Sequence, residues 1–242
     1  YNGGGFTIQG LKITTGRNFV GLFGYVDGAR IERLVLKGEI NVSHTPPSTD
    51  DVYYVGALVG TAVGSSTVIS QIRSEVSMVT NVRQTGGIVG EMTGTLQYSS
   101  VQASMQVARG PGNGWGYSGG LTAMMNGGTS INDSYARVSF SGASTYKTGI
   151  NSVANQPIRR SFSASTGVNA AIAGQGSDGG VNSFWDATLA PGVNPRWSNA
   201  NVITSASGVS TSSMTSIRTF STGVDAWSIV EGLSLIHISE PT

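Results

Sequence analysis

The stretch Gly87-Ile-Val-Gly90, followed by Val101-Gln-Ala-Ser-Met-Gln-Val107, decides the fold of this chain. The first segment places two apolar residues between glycines, which suits a sharp turn whose backbone passes close to neighbouring chain. The second alternates apolar and polar side chains over seven residues, which is the period of a strand with one buried face. Together they predict the turn and the half-buried strand of a repeating unit.

Copies of the glycine segment recur along the chain. Their final positions lie 22 to 36 residues apart, which is the length of one coil of a solenoid. The copies are Gly21-Leu-Phe-Gly24, Ala57-Leu-Val-Gly60, Gly87-Ile-Val-Gly90, and the weaker Gly120-Leu-Thr-Ala123, Gly149-Ile-Asn-Ser152 and Ala171-Ile-Ala-Gly174. Since alternating strands follow successive copies, we predict that those strands stack into one sheet.

The alternation also predicts which side chains fill the interior of the stack. Aligning four repeats gives two inward files, Leu36, Ser74, Ala103, Ala136 and Ile40, Met78, Val107, Phe140. A β-sandwich is the alternative interpretation, but sandwich strands seldom repeat their sequence. We therefore predict an all-β protein: a right-handed parallel β-helix, or β-solenoid, of about six coils over residues 1–186. A capping region over 187–232 follows, with Met214 on a short helical turn opened by Thr211 or Ser212.

Composition supports the β prediction and excludes several functions. The 242 residues include 35 Gly, only 11% are charged, and Ser and Thr are abundant, which disfavours helices. A net charge of +1 with no basic cluster gives no electrostatic footprint for nucleic acid. No apolar run reaches the roughly 18 residues of a membrane-spanning helix, so we expect no membrane insertion. The absence of Cys removes disulfides and thiolate metal sites.

The two ends of the sequence lead to two further predictions. The chain opens within the pattern at Tyr1, without Met, so we expect it to be part of a larger polypeptide. Residues 233–242 contain no Gly and resemble the translation of a sequencing adapter, so we expect this tail to be non-biological and assign no site to His237 or Glu240. Two segments rich in turn residues, 44–51 and 109–117, are expected to project from the stack.

Several segments resemble the GLUG-repeat proteins of bacterial surfaces. The opening Gly5-Phe-Thr-Ile-Gln-Gly-Leu-Lys-Ile13 and Val20-Gly-Leu-Phe-Gly-Tyr-Val26 carry the repeat; Ser183-Phe-Trp-Asp186, Val209-Ser-Thr-Ser-Ser-Met214 and Trp227-Ser-Ile-Val-Glu-Gly232 resemble elements that close such arrays. The resemblance implies a parallel β-helix on a secreted or surface-anchored protein. Such repeats occur in adhesins and beside immunoglobulin A1 protease domains, but the His-Glu-x-x-His motif of those proteases is absent from this sequence.

Residues suited to catalysis or metal binding are sparse. The pair Asp50-Asp51 and His44 lie in a Pro-rich segment and are expected to be solvated. The segment Gly174-Gln-Gly-Ser-Asp-Gly-Gly180 echoes a calcium-binding turn, but one copy cannot build a site that adjacent turns share. We therefore predict no catalytic residue, no cofactor and no metal, and expect that the protein is not an enzyme.

The remaining prediction is an extracellular, non-catalytic structural or adhesive module that binds a host glycan or surface protein. The alternatives are a β-helical polysaccharide-degrading enzyme and a segment of a phage or secretion-system fibre. The candidate binding surface is aromatic: Tyr135, Phe162 and Phe184 each follow a Ser and align in successive repeats, where the alternation turns them outward. With Trp115 and Tyr117 from the nearby loop, they would form an exposed platform.

Overall fold

The structure of the chain is a computed structural model. It describes residues 1–43, 53–108, 115–154, 156–175, 180–197, 206–214, 227–229 and 236–238. His44, Asp50, Asp51, residues 109–114 and most of the glycine turn at 174–180 lie outside these ranges, so the predictions made for them stay predictions.

The described chain is almost entirely β. The first nine strands are β1 (Thr7–Thr15), β2 (Phe19–Val20), β3 (Phe23–Asp27), β4 (Arg30–Val42), β5 (Tyr54–Gly56), β6 (Val59–Val63), β7 (Val68–Thr80), β8 (Gln84–Gly86) and β9 (Val89–Met92). The next eight are β10 (Thr95–Gln97), β11 (Ser100–Val107), β12 (Tyr117–Gly119), β13 (Thr122–Met125), β14 (Ser130–Asn132), β15 (Tyr135–Ser141), β16 (Tyr146–Thr148) and β17 (Asn151–Ala154). The last elements are β18 (Ile158–Arg159), β19 (Phe162–Ser163), β20 (Ala173–Gln175), β21 (Phe184–Asp186), β22 (Ser207–Val209), α1 (Thr211–Met214), β23 (Trp227–Ile229) and β24 (Ile236–Ile238).

Three parallel sheets form the walls of a β-helix, as the repeat predicts. Sheet A is eleven-stranded and contains β1, β4, β7, β10, β11, β14, β15, β18, β19, β21 and β22. Sheet B is five-stranded, in the order β16-β12-β8-β5-β2, and sheet C is six-stranded, in the order β20-β17-β13-β9-β6-β3. Each coil contributes one strand to sheet C, which gives the six coils expected from the repeat.

The interior files of sheet A differ from the sequence alignment in the third repeat. The first file is Leu36, Ser74, Val101, Ala136, and the second is Ile40, Met78, Met105, Phe140. The predicted members Ala103 and Val107 were therefore wrong by two residues. All eight side chains of the observed files are at most 7% exposed. A slip of two residues keeps the same face inward, which is why the alternation alone did not reveal it.

In each coil, sheet A bends at a corner residue whose backbone is in the left-handed conformation. The residue that follows it has a buried side chain. Six corner residues have φ between 45° and 58°: Arg33, Gln71, Tyr98, Asp133, Arg160 and Asn182. From the third repeat on, the next residue is Ser, at Ser99, Ser134, Ser161 and Ser183. At one corner, Arg160 donates two hydrogen bonds of 2.7 Å to the buried Asp133 of the preceding coil.

These four serines form a ladder of hydrogen bonds along the solenoid. The backbone N–H of the equivalent residue in the preceding coil donates to each Oγ, as from Ile72 to Ser99 (3.1 Å), Ser99 to Ser134 (3.2 Å), Ser134 to Ser161 (3.3 Å) and Ser161 to Ser183 (3.1 Å). Each hydroxyl in turn donates to the carbonyl two residues earlier in its own coil. The ladder satisfies backbone groups where the corner interrupts the sheet.

Glycine is required at positions that combine a positive φ with a close approach to the backbone of a neighbouring coil. Gly167 has φ of 68°, and a Cβ there would overlap the backbone carbonyl oxygen of Phe140. Gly192 has nearly the same φ, 69°, but a Cβ there would meet nothing within 4 Å. The two positions therefore separate backbone strain from steric overlap.

We expect Gly167→Ala to be more destabilising than Gly192→Ala. The second change costs only the left-handed conformation of an alanine, about 1 to 2 kcal/mol. The first adds the displacement of a neighbouring coil, for which overpacking typically costs a further 1 to 3 kcal/mol or so. Urea denaturation of both variants measures the difference, and equal losses of unfolding free energy would contradict the close approach at Gly167.

Hydrogen bonds to Asp186 organise the C-terminal part of the described chain. Sheet A continues past this residue, because β22 pairs with β21. The buried Asp186 carboxylate accepts hydrogen bonds from the N–H groups of Thr188 (2.9 Å) and Leu189 (3.1 Å) and from the hydroxyl of Thr211 (2.8 Å). The expected helical turn is present as α1, but its cap is Ser210, whose Oγ accepts from the Ser213 N–H (3.2 Å).

The strands β23 and β24 form a separate antiparallel pair. One of them, Ile236–Ile238, lies within the segment that resembles a sequencing adapter. Within the described ranges, no helix has the length and apolar character needed to cross a membrane.

Candidate functional site

The aromatic ladder predicted on sheet A is present, in adjacent coils. Tyr135 pairs in register with Phe162, and Phe162 pairs with Phe184. The rings of Tyr135 and Phe162 stack at 5.0 Å with an interplanar angle of 10°. The ladder is separate from the main core and packs with Ala164 and Val209.

The expected exposure of this ladder was wrong at its centre. Phe162 is only 3% exposed, because it lies between its two aromatic neighbours and beneath Ala164 and Val209. A ring with both neighbours in place and so little free surface offers no platform to a ligand. The ladder therefore acts as a small second core that holds the later coils together.

Burial has a measurable consequence at Tyr135. Desolvation raises the pKa of its hydroxyl from 10.0 to about 12; the nearby Arg137 charge lowers it and the Asp186 charge raises it further. Because the hydroxyl ionises at lower pH in the unfolded chain, the contribution of Tyr135 to stability is complete below pH 10 and is lost as pH rises towards 12.

We expect Tyr135→Phe to reduce the loss of stability between pH 10 and pH 12. The phenylalanine keeps the stacked ring but has no proton to release. Urea denaturation at a series of alkaline pH values measures the unfolding free energy of both proteins. Tyr25→Phe is the matched control, since Tyr25 is 56% exposed. If Tyr135→Phe follows the parent at every pH, the hydroxyl is not desolvated in the folded protein.

The other two predicted aromatic residues lie away from sheet A. Tyr117 begins β12 of sheet B and stacks on Tyr146 of the next coil at 5.1 Å. Trp115 also stacks on Tyr146, at 5.4 Å, and Trp197 meets the same ring edge-on at 5.0 Å. The prediction that Trp115 and Tyr117 extend the sheet A ladder was therefore wrong, because a solenoid corner turns them onto another wall. Trp115 is 55% exposed and Trp197 is 44% exposed.

Tyr117 and Tyr146 form one end of a longer row of side chains along sheet B. The first residues of its five strands pair in register, in the order Phe19, Tyr54, Gln84, Tyr117, Tyr146. At the other end, the rings of Phe19 and Tyr54 stack at 6.1 Å. We call these five residues the sheet B column. It faces away from the interior, since the residues that follow include Val20 and Val55 of the main core.

An equivalent column on sheet C faces the sheet B column. It consists of Tyr25, Thr61, Glu91, Met124 and Val153, which pair in register. The rings of Phe19 and Tyr25 are in contact, with their centroids 6.3 Å apart. Two outward columns on different sheets can touch only if the bend between the sheets is concave. The two columns therefore meet along a concave bend that runs along the solenoid axis, and we call this bend the cleft.

Glycine closes the base of this cleft. Gly86, at the end of β8, lies against the start of β9, and a Cβ there would overlap the carbonyl oxygen of Val89. The backbones of sheets B and C therefore come into direct contact at the bend. The glycine segment recognised in the sequence thus positions the site as well as the fold.

Polar side chains occupy the middle of the cleft. Asn126 donates a hydrogen bond of 2.8 Å to Glu91. Burial, followed by the Glu91 charge, raises the pKa of Tyr54 to about 12, so its hydroxyl remains a donor at physiological pH. Burial likewise raises the pKa of Tyr117, against the lowering effect of the nearby Arg83 charge.

Three buried polar atoms at the cleft have no hydrogen-bond partner among the described residues: Oε1 of Gln84, Oγ1 of Thr61 and Nε of Arg83. The Gln84 and Thr61 side chains are each 3% exposed. Leaving a buried acceptor unpaired costs about 1 to 3 kcal/mol. Such groups are unusual in a folded protein, and an ordered water molecule or ion, local strain or a functional role accounts for them.

Metal chemistry has no assembled site in the part of the chain that the structure describes. No group of three or more His, Asp or Glu side chains there is placed to hold an ion.

The cleft residues Tyr54, Gln84, Glu91 and Tyr146 were not singled out from the sequence. The signal was available for Tyr54, Gln84, Tyr117 and Tyr146, each of which lies three residues before a copy of the glycine segment.

No protein-family model, curated protein sequence or solved structure matches the chain. The resemblance to GLUG-repeat proteins therefore stays a prediction that rests on the quoted motifs.

Proposed function

We propose that the chain is a non-catalytic structural and adhesive module of a secreted or surface-anchored bacterial protein. The observation that carries the proposal is the cleft between sheets B and C, with Trp115 and Trp197 exposed at one end. Large exposed aromatic side chains on a protein otherwise rich in Ser and Thr mark an interaction surface. The partner is a host glycan or a surface protein, and the module acts outside the cell.

Binding rather than hydrolysis is supported by the state of Glu91. Its carboxylate accepts a hydrogen bond of 2.8 Å from the Asn126 side chain, which holds it in place. Glycoside hydrolysis requires two carboxyl groups, typically about 5 to 9.5 Å apart, one of them free to transfer a proton. A β-helical polysaccharide-degrading enzyme is accordingly the second candidate, and the assay below distinguishes it.

Adhesion of the purified chain tests this proposal. Beads coated with the protein should adhere to host-cell surfaces, and Trp115→Ala together with Trp197→Ala should abolish that adhesion under conditions where circular dichroism shows the variant to be folded, although the lost contacts with Tyr146 lower its melting temperature. Phe6→Ala is the matched control, since Phe6 is 77% exposed and is not part of the cleft. Adhesion that survives the double substitution would contradict the assignment to the cleft. Release of reducing ends or unsaturated sugars from polysaccharides would favour the enzyme.

A further inference from the structure

We propose that Asn126 is a site of spontaneous covalent modification, at which the side-chain amide is lost by reaction with the backbone nitrogen of Gly127. An acidic residue then replaces the asparagine beside Glu91. The reaction requires water and no other protein, and it is independent of the proposed adhesive function.

The reaction follows from the chemistry of an asparagine that precedes a glycine. The Gly127 nitrogen loses its proton to solvent and bonds to Cγ of Asn126, and the bond between Cγ and Nδ2 breaks. Ammonia leaves with Nδ2 and takes up a proton from solvent, so that a cyclic succinimide remains. Water then opens the ring at either carbonyl, which gives aspartate or isoaspartate. Glycine favours the first step because it has no Cβ to obstruct the approach of its nitrogen.

The structure leaves the attacking nitrogen accessible. Asn126, Gly127 and Gly128 form a turn between β13 and β14, closed by a hydrogen bond of 3.2 Å from the Thr129 N–H to the Asn126 carbonyl. Both glycines are exposed, and a Cβ on Gly127 would meet nothing within 4 Å. Within the described ranges, the Gly127 N–H donates no hydrogen bond. Solvent can therefore remove its proton, and no neighbouring coil blocks its movement towards the Asn126 side chain.

A second Asn-Gly pair, Asn2-Gly3, has the opposite arrangement. The Gly3 N–H donates a hydrogen bond of 2.8 Å to the carbonyl of Glu32, and Gly3 is buried. The Asn2 carboxamide is held at both ends, because its Oδ1 accepts from the Gly4 N–H at 2.8 Å and its Nδ2 donates to Oε1 of Glu32 at 3.0 Å. Both the nucleophile and the group that it would attack are therefore fixed.

The comparison identifies the backbone nitrogen as the deciding difference. Nδ2 of Asn126 donates to Oε1 of Glu91 at 2.8 Å, so each of the two amides has a glutamate partner. The Gly3 nitrogen must first break a backbone hydrogen bond, which the Gly127 nitrogen does not have to do. We therefore expect the modification at Asn126 and not at Asn2.

The modification changes the contact between two coils. The Asn126 N–H donates to the carbonyl of Met92 at 2.9 Å, and its side chain donates to Glu91, so the residue joins the coil of β13 to that of β9. Aspartate would remove the side-chain donor and place a second carboxylate against Glu91, where like charges repel. Isoaspartate would in addition lengthen the backbone of the turn by one carbon atom. The modified chain should therefore melt at a lower temperature.

Incubation of the full chain at mildly alkaline pH tests the site directly. Peptide mapping by tandem mass spectrometry measures the conversion of each amide to an acid and separates Asn126 from Asn2 and from the third pair, Asn113-Gly114, which lies outside the described ranges. We expect Asn126 to react about tenfold faster than Asn2, as one protecting hydrogen bond predicts. In guanidinium chloride, where the fold is lost, the two rates should become similar. An Asn126 that reacts no faster than Asn2 in the folded chain would overturn the proposal.

Gly127→Ala tests whether the Gly127 nitrogen is the nucleophile. The added Cβ has open space around it, so the variant should fold as the parent does, while the same Cβ hinders the nitrogen and slows the loss of the amide severalfold. Circular dichroism and melting curves check the fold. If folded Gly127→Ala loses the Asn126 amide at the parent rate, the reaction does not pass through this nitrogen.

Asn126→Asp reproduces one product and tests its effect on the coil contact. It should lower the melting temperature, and adding Glu91→Gln should restore most of the loss, because the glutamine amide can donate to the new carboxylate. A melting temperature of Asn126→Asp equal to that of the parent, or a loss that Glu91→Gln does not relieve, would overturn the predicted repulsion at Glu91.

Discussion

Replacing Met105 with Asp is expected to lower the free energy of unfolding by several kcal/mol. Met105 is fully buried and stands in register between Met78 and Phe140, so the carboxylate would lie in the interior with no cation beside it. Gln106→Asp is the matched control, because Gln106 is the next residue and faces solvent. Urea denaturation followed by circular dichroism measures both.

The location of the damage is also predictable. In a solenoid each coil contacts only its neighbours, so stability is approximately a sum of local terms. Hydrogen exchange in Met105→Asp should therefore increase most in β7, β11 and β15 and much less in the first coil. If Met105→Asp and Gln106→Asp are equally stable, the observed register of the third repeat is wrong.

Phe162→Ser should be nearly as damaging, at about 3 to 5 kcal/mol, because it removes the centre of the sheet A ladder and leaves a cavity between Tyr135 and Phe184. Phe6→Ser, at a side chain that is 77% exposed, should change stability little. Melting curves of the two variants provide the comparison.

Adhesion separates the structural role of this ladder from a binding role. Under conditions where Phe162→Ser remains folded, we expect it to adhere to host cells as the parent does, since the cleft lies on other sheets. Loss of adhesion by the folded variant would show that the ladder is a binding surface. A melting temperature equal to that of the parent would show that the ring is not buried.

The fold was predictable because its two determinants are local. Alternation in Val101–Val107 and the glycine segment before it together define a strand and a bend, and their repetition defines a stack. The exact pairing in the third repeat was not predictable from alternation, since shifting by two residues leaves every apolar side chain inward. The serine that follows the corner, Ser99, would have fixed the register, because it aligns with Ser134, Ser161 and Ser183.

The cleft was harder to predict because it depends on the angle between two sheets. Tyr54 and Glu91 are far apart in sequence, and only a concave bend brings their side chains together. Sequence spacing places Tyr117 in a loop near the sheet A ladder, but nothing in the spacing reports which way the chain turns between the walls. Trp115 and Tyr117 were identified from the sequence, but Tyr146, the side chain that both contact, was not.

The serine ladder has a consequence for how such a protein changes over generations. Each serine-bearing repeat accepts a hydrogen bond from the coil before it and offers an equivalent N–H to the coil after it. A duplicated or deleted repeat carries both halves of this arrangement with it, so the new junction is already satisfied. Recombination between repeats can thus lengthen or shorten the array by whole coils, and the gene can alter the reach of the module without redesigning any interface.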